Sequence, residues 1–143
     1  MTAKDFFSEE EKAAIRMSIA AAELHTSGEI RVHVEDNGGT DVVKKAKKVF
    51  DREGMHKTKD RNGVLFFIGA KDHTFAIYGD KGIHERVHQE FWDGIKDELM
   101  GYFADKKFAQ GLCVAVEKTG EKLKEFFPRE KSDKDELSNE ISY

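Results

Sequence analysis

The sequence predicts an α/β fold, an αβα sandwich with helices on both faces of a small mixed sheet of three to four strands. Residues 29–35 alternate strictly between polar and apolar side chains, which is typical of a strand with one apolar face. Residues 64–68 are all apolar and lie between Gly63 and Gly69, as in a central strand that is covered on both sides. Elsewhere, apolar residues recur at helical spacing.

The first helix has a clear beginning and end. Ser8 followed by Glu11 is the pattern of a capping box, in which each residue satisfies a backbone N–H group near the start of a helix. Gly28 is a suitable residue for ending it. We therefore predict a helix over about residues 8–26, followed directly by the alternating strand.

A second helix is predicted after a turn-rich loop at residues 36–40, and it ends at Gly54. Four apolar residues define its buried face: Val42, Ala46, Val49 and Phe50. The opposite face carries four lysines, at positions 44, 45, 47 and 48. We interpret them as a solvated helix face, because the net charge of −4 does not support a nucleic-acid surface.

The second half of the chain predicts a hairpin and two further helices. Residues 63–79 form the hairpin, with a short turn at 70–73. Apolar residues at every fourth position predict a third helix over about 87–103. A fourth helix begins near Leu112 and is closed by Pro128. The predicted order is α-β-α-β-β-α-α.

Length and composition indicate one domain, over residues 1–128, with a charged tail at 129–143 in which Leu137 and Ile141 are able to dock. The single Cys113 excludes an internal disulfide and fits a reducing compartment. The first residues lack the apolar region of a signal peptide, and no stretch approaches the ~20 apolar residues of a membrane span. We expect a soluble, cytoplasmic monomer without membrane insertion and without a nucleic-acid partner.

The predicted topology brings three loop segments to one end of the sheet. A helix connects the first two strands, so the strands are parallel and begin at the same end. The hairpin then returns the end of the third strand to that end. The converging segments are 27–29, 57–62 and 79–85. They carry six candidate metal ligands: Glu29, Asp60, Asn62, Asp80, His84 and Glu85.

Oxygen-rich clusters on loops are typical sites for hard divalent cations such as Ca²⁺ or Mg²⁺. Asp80 and Glu85 are close enough in sequence to share one ion or to bridge two. The alternative is a set of ordinary surface ion pairs, because basic residues are interleaved with the acids: Lys59, Arg61, Lys81 and Arg86. The sequence contains no EF-hand pattern and no recognised zinc spacing.

Other polar positions have simpler interpretations. The acidic residues at 35, 36 and 41 form a second group with Asn37. Thr40 or Asp41 is a suitable cap for the second helix, and metal binding by this group is the alternative. His33 is interpreted as a buried or interfacial hydrogen-bonding group. Cys113 and Trp92 are interpreted as packing residues.

Several motifs, taken in order, resemble the TPM domain family. They lie at residues 25–32, 61–65, 75–83, 91–93 and 126–128. The resemblance covers about residues 8–128 and implies an αβα sandwich whose acidic loops bind divalent cations. It also implies a link to phosphatase activity, which comes from plant members of the family, among them a phosphatase-like protein of the thylakoid lumen. Many relatives carry signal peptides, membrane spans or glycine-rich tails, and we expect this chain to be a stand-alone domain.

Three functions follow as expectations. The first is a domain that binds one or two Ca²⁺ or Mg²⁺ ions in its acidic loops. The second is a metal-dependent phosphatase in which a cation at Asp60 and Asp80 polarises the phosphoryl group while Arg31 or Arg61 holds it. The third is a protein-interaction module without metal, with residues 129–143 as its contact segment.

Overall fold

A three-stranded mixed sheet forms the centre of the protein, for which a computed structural model describes residues 2–129 and 139–143. Strand β1 (Glu29–Glu35) runs parallel to β2 (Gly63–Gly69), and β3 (Thr74–Gly79) runs antiparallel to β2 on its other side. The strand bounds match the sequence prediction, and the predicted α/β sandwich is confirmed.

Five α-helices accompany the sheet: α1 (Glu9–Glu23), α2 (Val42–Arg52), α3 (Lys81–His84), α4 (Gln89–Ala104) and α5 (Phe108–Phe126). Two 3-10 turns, Ala3–Asp5 and Met55–Lys57, complete the described elements. The sequence did not predict α3 or the 3-10 turns, because three or four residues are too few to show a helical period. None of the helices in the described residues is long and apolar enough to cross a membrane.

Side-chain caps fix the beginnings of α1 and α2. The hydroxyl of Ser8 accepts from the Glu11 backbone N–H at 3.1 Å, and the Glu11 carboxylate accepts from the Ser8 N–H at 2.9 Å. This reciprocal pair is the predicted capping box. Asp41 caps α2 by accepting from the Lys44 N–H at 3.1 Å.

Each face of the sheet packs against its own apolar cluster. On one face, β1 and β2 pack with α1, α4 and α5. On the other face, α2 covers β2 and β3 through a smaller cluster: Ala46, Val49, Phe50, Met55, Leu65, Phe67 and Ala76. Because β2 contributes to both clusters, all seven of its residues are buried, as the uninterrupted apolar run predicted.

The outer edge of β1 is covered by residues 139–143, here called the closing segment. The Val34 N–H donates to the Ser142 carbonyl and the Ser142 N–H donates to the Val32 carbonyl, both at 2.9 Å. Ile141 is buried in the larger cluster. Leu137, the other residue predicted to dock, lies outside the described residues.

His33 lies beneath this contact and is fully buried, with an exposed fraction of 0%. Its Nδ1 is 2.7 Å from the Ser142 hydroxyl and its Nε2 is 2.9 Å from the Glu35 carboxylate. Burial lowers the pKa of His33, and the hydrogen bond and charge of Glu35 oppose that shift. Arg52 and Glu53 also act on the imidazole, with opposite signs.

Acidification is expected to destabilise the fold through His33. In the unfolded chain this group titrates near its ordinary pKa of 6.5, whereas the folded chain keeps it neutral to lower pH. The unfolded state therefore binds the proton first, and the free energy of unfolding falls as the pH drops below about 6.5. Urea unfolding at several pH values between neutral and mildly acidic measures this slope. His33→Gln should flatten it and His25→Gln, at an exposed position, should not; a flat profile for the native chain would contradict the assignment.

Candidate functional site

The three loop segments that the topology brings together are joined by backbone hydrogen bonds. The Glu29 N–H donates to the Asn62 carbonyl at 3.3 Å, and the Gly82 N–H donates to the Arg61 carbonyl at 2.9 Å. The beginning of β1, the loop before β2 and the beginning of α3 therefore form one continuous end of the sheet.

Gly82 allows the closest of these approaches. A Cβ atom at this position would lie 2.3 Å from the Asp60 carbonyl oxygen and 2.6 Å from that of Arg61. Contacts this short with backbone atoms are not tolerated, so only glycine lets α3 lie against the preceding loop. Arg61 itself adopts a left-handed backbone with φ of 51°, an uncommon and costly conformation for a residue with a side chain.

Asp80 is a buried acidic residue of this region, with 4% of its surface exposed. Its carboxylate accepts from Arg61 Nε at 2.6 Å and Nη2 at 2.8 Å, a two-pronged ion pair. It also accepts from the Lys81 N–H at 2.8 Å and so caps α3. The hydrogen bond from Arg61 to Asp80 raises the pKa of the guanidinium above its ordinary value.

A pocket of about 260 Å³ opens beside this ion pair. Its polar lining consists of Ser27, Lys59, Asp60, Glu85 and Arg86. The aromatic end of α5 forms another wall. The pocket therefore brings together two exposed carboxylates, a hydroxyl group and two cations from three parts of the chain.

The end of α5 is held in place by Thr26. The Thr26 hydroxyl donates to the Phe127 carbonyl at 2.5 Å, and the Ser27 N–H donates to the same oxygen at 2.9 Å. The loop topology predicted from the sequence did not include this wall of the pocket. The only signal was the presence of Phe126 to Pro128 among the family motifs.

The six predicted ligands do not occupy equivalent positions. Asp60 and Glu85 line the pocket, and Asp80 is paired with Arg61. Glu29 is buried at the beginning of β1. These positions place all four predicted acids at one end of the sheet.

The remaining two predicted ligands have different surroundings. Asn62 is buried, and its Nδ2 donates to the Ser27 hydroxyl at 3.2 Å. His84 is exposed and lines a separate groove with Ile77 and Trp92. Within the described residues, no group of three or more His, Cys, Asp or Glu side chains is arranged to hold a metal ion.

The second acidic group, at the other end of β1, is engaged in structural contacts. Glu35 contacts His33 and lies 3.4 Å from Lys45 Nζ. Asp36 accepts from the Ala3 N–H at 2.8 Å. With Asp41 used as the cap of α2, these acids have roles in the fold.

Comparison with known proteins identifies the family. The TPM domain matches residues 1–122, most of the chain. The chain belongs to the TPM domain family. The solution structure of the BA42 protein from the psychrophilic bacterium Bizionia argentinensis is 45% identical in sequence, with a TM-score of 0.90 over 97% of this chain and 96% of that one.

A more distant solved structure shares the fold alone. The N-terminal domain of the cg2496 protein from Corynebacterium glutamicum is 12% identical, with a TM-score of 0.64 over 96% of this chain and 80% of that one. No curated protein matches this TPM domain. The resemblance stated from the sequence motifs is confirmed.

Proposed function

We propose that this TPM domain binds a divalent cation, Ca²⁺ or Mg²⁺, in the pocket between α3 and the loop before β2. The supporting observation is that Asp60 and Glu85, from separate loops, line one pocket with the Ser27 hydroxyl. Carboxylate and hydroxyl oxygens suit hard cations, and water molecules complete their coordination. Of the other predicted ligands, Glu29 and Asn62 are buried in the segments next to the pocket, and His84 lines a separate groove.

Arg61 limits how strongly a cation is bound. Its guanidinium occupies the Asp80 carboxylate, so Asp80 becomes a third ligand, or part of a second site, only when Arg61 withdraws. Lys59 and Arg86 add positive charge to the same pocket. With few uncompensated carboxylates, the dissociation constant is expected on the order of 10⁻⁴–10⁻³ M.

A metal titration tests the proposal. After treatment with EDTA, addition of Ca²⁺ or Mg²⁺ should shift amide resonances of residues 57–62 and 79–86 and leave the β2–β3 turn unchanged. At a hundredfold excess over the dissociation constant, ion binding should raise the free energy of unfolding by about 2.7 kcal/mol. Unchanged resonances in both loops would refute the proposal.

Matched variants separate the pocket from general charge effects. Asp60→Asn and Glu85→Gln each remove a carboxylate of the pocket and should weaken cation binding about tenfold, since each loses a charged ligand. Asp97→Asn removes the same charge from an exposed position on α4 and should leave the affinity unchanged. Calorimetric titration of the three variants gives the comparison, and equal weakening in all three would refute a local site.

A second candidate function is metal-dependent phosphomonoester hydrolysis. Lys59 and Arg86 favour it, because they line the same pocket as Asp60 and Glu85 and can hold a phosphate group there. A bound cation would supply polarisation of a phosphoryl oxygen and a water of lowered pKa. In this function, Arg61 stabilises the loop before β2 through its ion pair with Asp80.

Hydrolysis of a generic aryl phosphate tests this candidate. We expect turnover that is lost in chelator. Asp60→Asn should reduce it about a hundredfold or more, the scale of losing one electrostatic contact to the transition-state charge, because the cation loses a ligand. Asp97→Asn serves as the control. Hydrolysis that does not exceed background between acid and neutral pH, in the presence of Mg²⁺ or Ca²⁺, would rule out this class of substrate.

A further inference from the structure

The outer edge of β1 presents a complete set of contacts for an extended peptide. Val34 offers a backbone N–H and Val32 a backbone carbonyl, and the buried imidazole of His33 lies between them. Residues of the larger apolar cluster receive one aliphatic side chain. In the described structure the closing segment makes all these contacts.

We propose that this edge is a peptide-binding groove for an extended segment with an aliphatic, a hydroxyl and an aromatic residue in that order. The closing segment, with Ile141, Ser142 and Tyr143, is its resident and exchangeable occupant. Addition of a strand to a free sheet edge is a common mode of peptide recognition, in which main-chain bonds give affinity and alternate side chains give specificity.

Alternation along the strand determines which side chain meets which surface. Ile141 points into the cluster on the α1 side, and Ser142 points to the opposite face, where His33 lies. Tyr143 returns to the α1 side, where Lys12 Nζ is 5.7 Å from the centre of its ring. The groove therefore contacts the side chains at three consecutive positions of the bound peptide.

The imidazole of His33 specifies the hydroxyl position. Because the Glu35 carboxylate only accepts, His33 Nε2 carries the proton and Nδ1 is an acceptor. The Ser142 hydroxyl, 2.7 Å away, donates to it. A peptide without a donor at this position would leave a buried acceptor unpaired, which costs binding free energy.

The resident segment is held weakly enough to exchange. It makes two main-chain hydrogen bonds to β1 and one side-chain hydrogen bond from Ser142 to His33, and it buries Ile141. The Glu140 side chain is 71% exposed and Tyr143 is 40% exposed. Ordering five residues costs a free energy of the same order as these contacts supply. Because the segment is part of the same chain, its effective concentration at the groove is in the millimolar range. This effective concentration, more than the contacts themselves, keeps the groove occupied.

The first experiment opens the groove in the chain of 143 residues. Ile141→Asp removes the buried anchor. Ser142→Pro leaves Ile141 in the sequence but removes both the N–H that bonds Val32 and the hydroxyl that bonds His33. In both variants hydrogen exchange of the Val34 amide should accelerate at least tenfold, while amides of β2 keep their protection. Glu140→Gln, which changes only an exposed side chain 3.8 Å from Arg16, should behave as the native chain. Native protection of Val34 in both opened variants would overturn the proposal.

The second experiment fills the opened groove in trans. A synthetic amidated peptide with the sequence of residues 139–143 is titrated into Ile141→Asp, or into Ser142→Pro if the first variant does not fold. It should shift the His33 ring and Val34 amide resonances and restore exchange protection. The same peptide with valine in place of Ser142 should bind at least fivefold more weakly. Equal shifts in the native chain and the opened variant, equal binding of both peptides, or no shift at millimolar peptide would each overturn the proposal.

Discussion

Phe50→Ala is expected to lower the free energy of unfolding by about 3–5 kcal/mol, the usual cost of removing a buried aromatic side chain. Phe50 is 1% exposed and belongs to the smaller of the two clusters, which has few other large side chains to close the resulting cavity. Its ring centre lies 4.9 Å from that of Tyr78. The substitution therefore loosens α2 from both β2 and β3.

Urea unfolding followed by circular dichroism measures this effect. Val43→Ala is the matched control, since Val43 lies on the same helix with 51% of its surface exposed, and its expected effect is within about 0.5 kcal/mol. Phe50 also lies 3.5 Å from the Cβ position of Gly63, at the start of β2. We therefore expect the loop before Gly63 to become more mobile in Phe50→Ala. A loss below about 1 kcal/mol would mean that the cluster repacks.

Gly82→Ala is expected to cost about 3 kcal/mol and to displace the loops of the pocket. The added methyl group meets the carbonyl oxygens of Asp60 and Arg61 at distances that require backbone movement. The movement also removes the hydrogen bond from the Gly82 N–H to Arg61. Both effects act on the segments that position Asp60 and Glu85, so cation affinity should fall together with stability.

Gly94→Ala is the control for this substitution. Gly94 lies in the interior of α4 and a Cβ at this position meets no atom within 4 Å. Alanine there should stabilise the fold by about 0.5–1 kcal/mol, because it favours the helix over the unfolded chain. Thermal unfolding of both variants gives the comparison. A Gly82→Ala protein with native stability and unchanged amide shifts near Asp60 would contradict the close packing of α3.

The strands could be predicted from local patterns because each signal is short-range. Strict alternation from Glu29 to Glu35 follows from one apolar and one polar face, and the apolar run between Gly63 and Gly69 follows from burial on both faces. The helical connection between these strands then required a parallel pair. The convergence of three loops at one sheet end was a consequence of that topology.

The pairing inside the site could not be predicted from sequence. In the sequence, the acids have four equally suitable basic partners: Lys59, Arg61, Lys81 and Arg86. Only the folded structure shows which of them pairs with Asp80. Arg61 reaches Asp80 because its backbone is left-handed and Gly82 lets α3 approach. Both conditions depend on tertiary contacts, so neither produces a periodic pattern in the sequence. Likewise, the hydroxyl of Ser142 meets His33 across more than a hundred residues of chain.

The order of the strands has a consequence for how the protein folds. Strands β2 and β3 are joined by a turn of four residues, at 70–73, and hairpins of this kind form in about 1–10 μs. Pairing of β1 with β2 must await closure of the long connection through α2, which is slower because loop entropy is lost first. The hairpin is therefore expected to act as the template in the transition state, with β1 added to it and the closing segment ordered last.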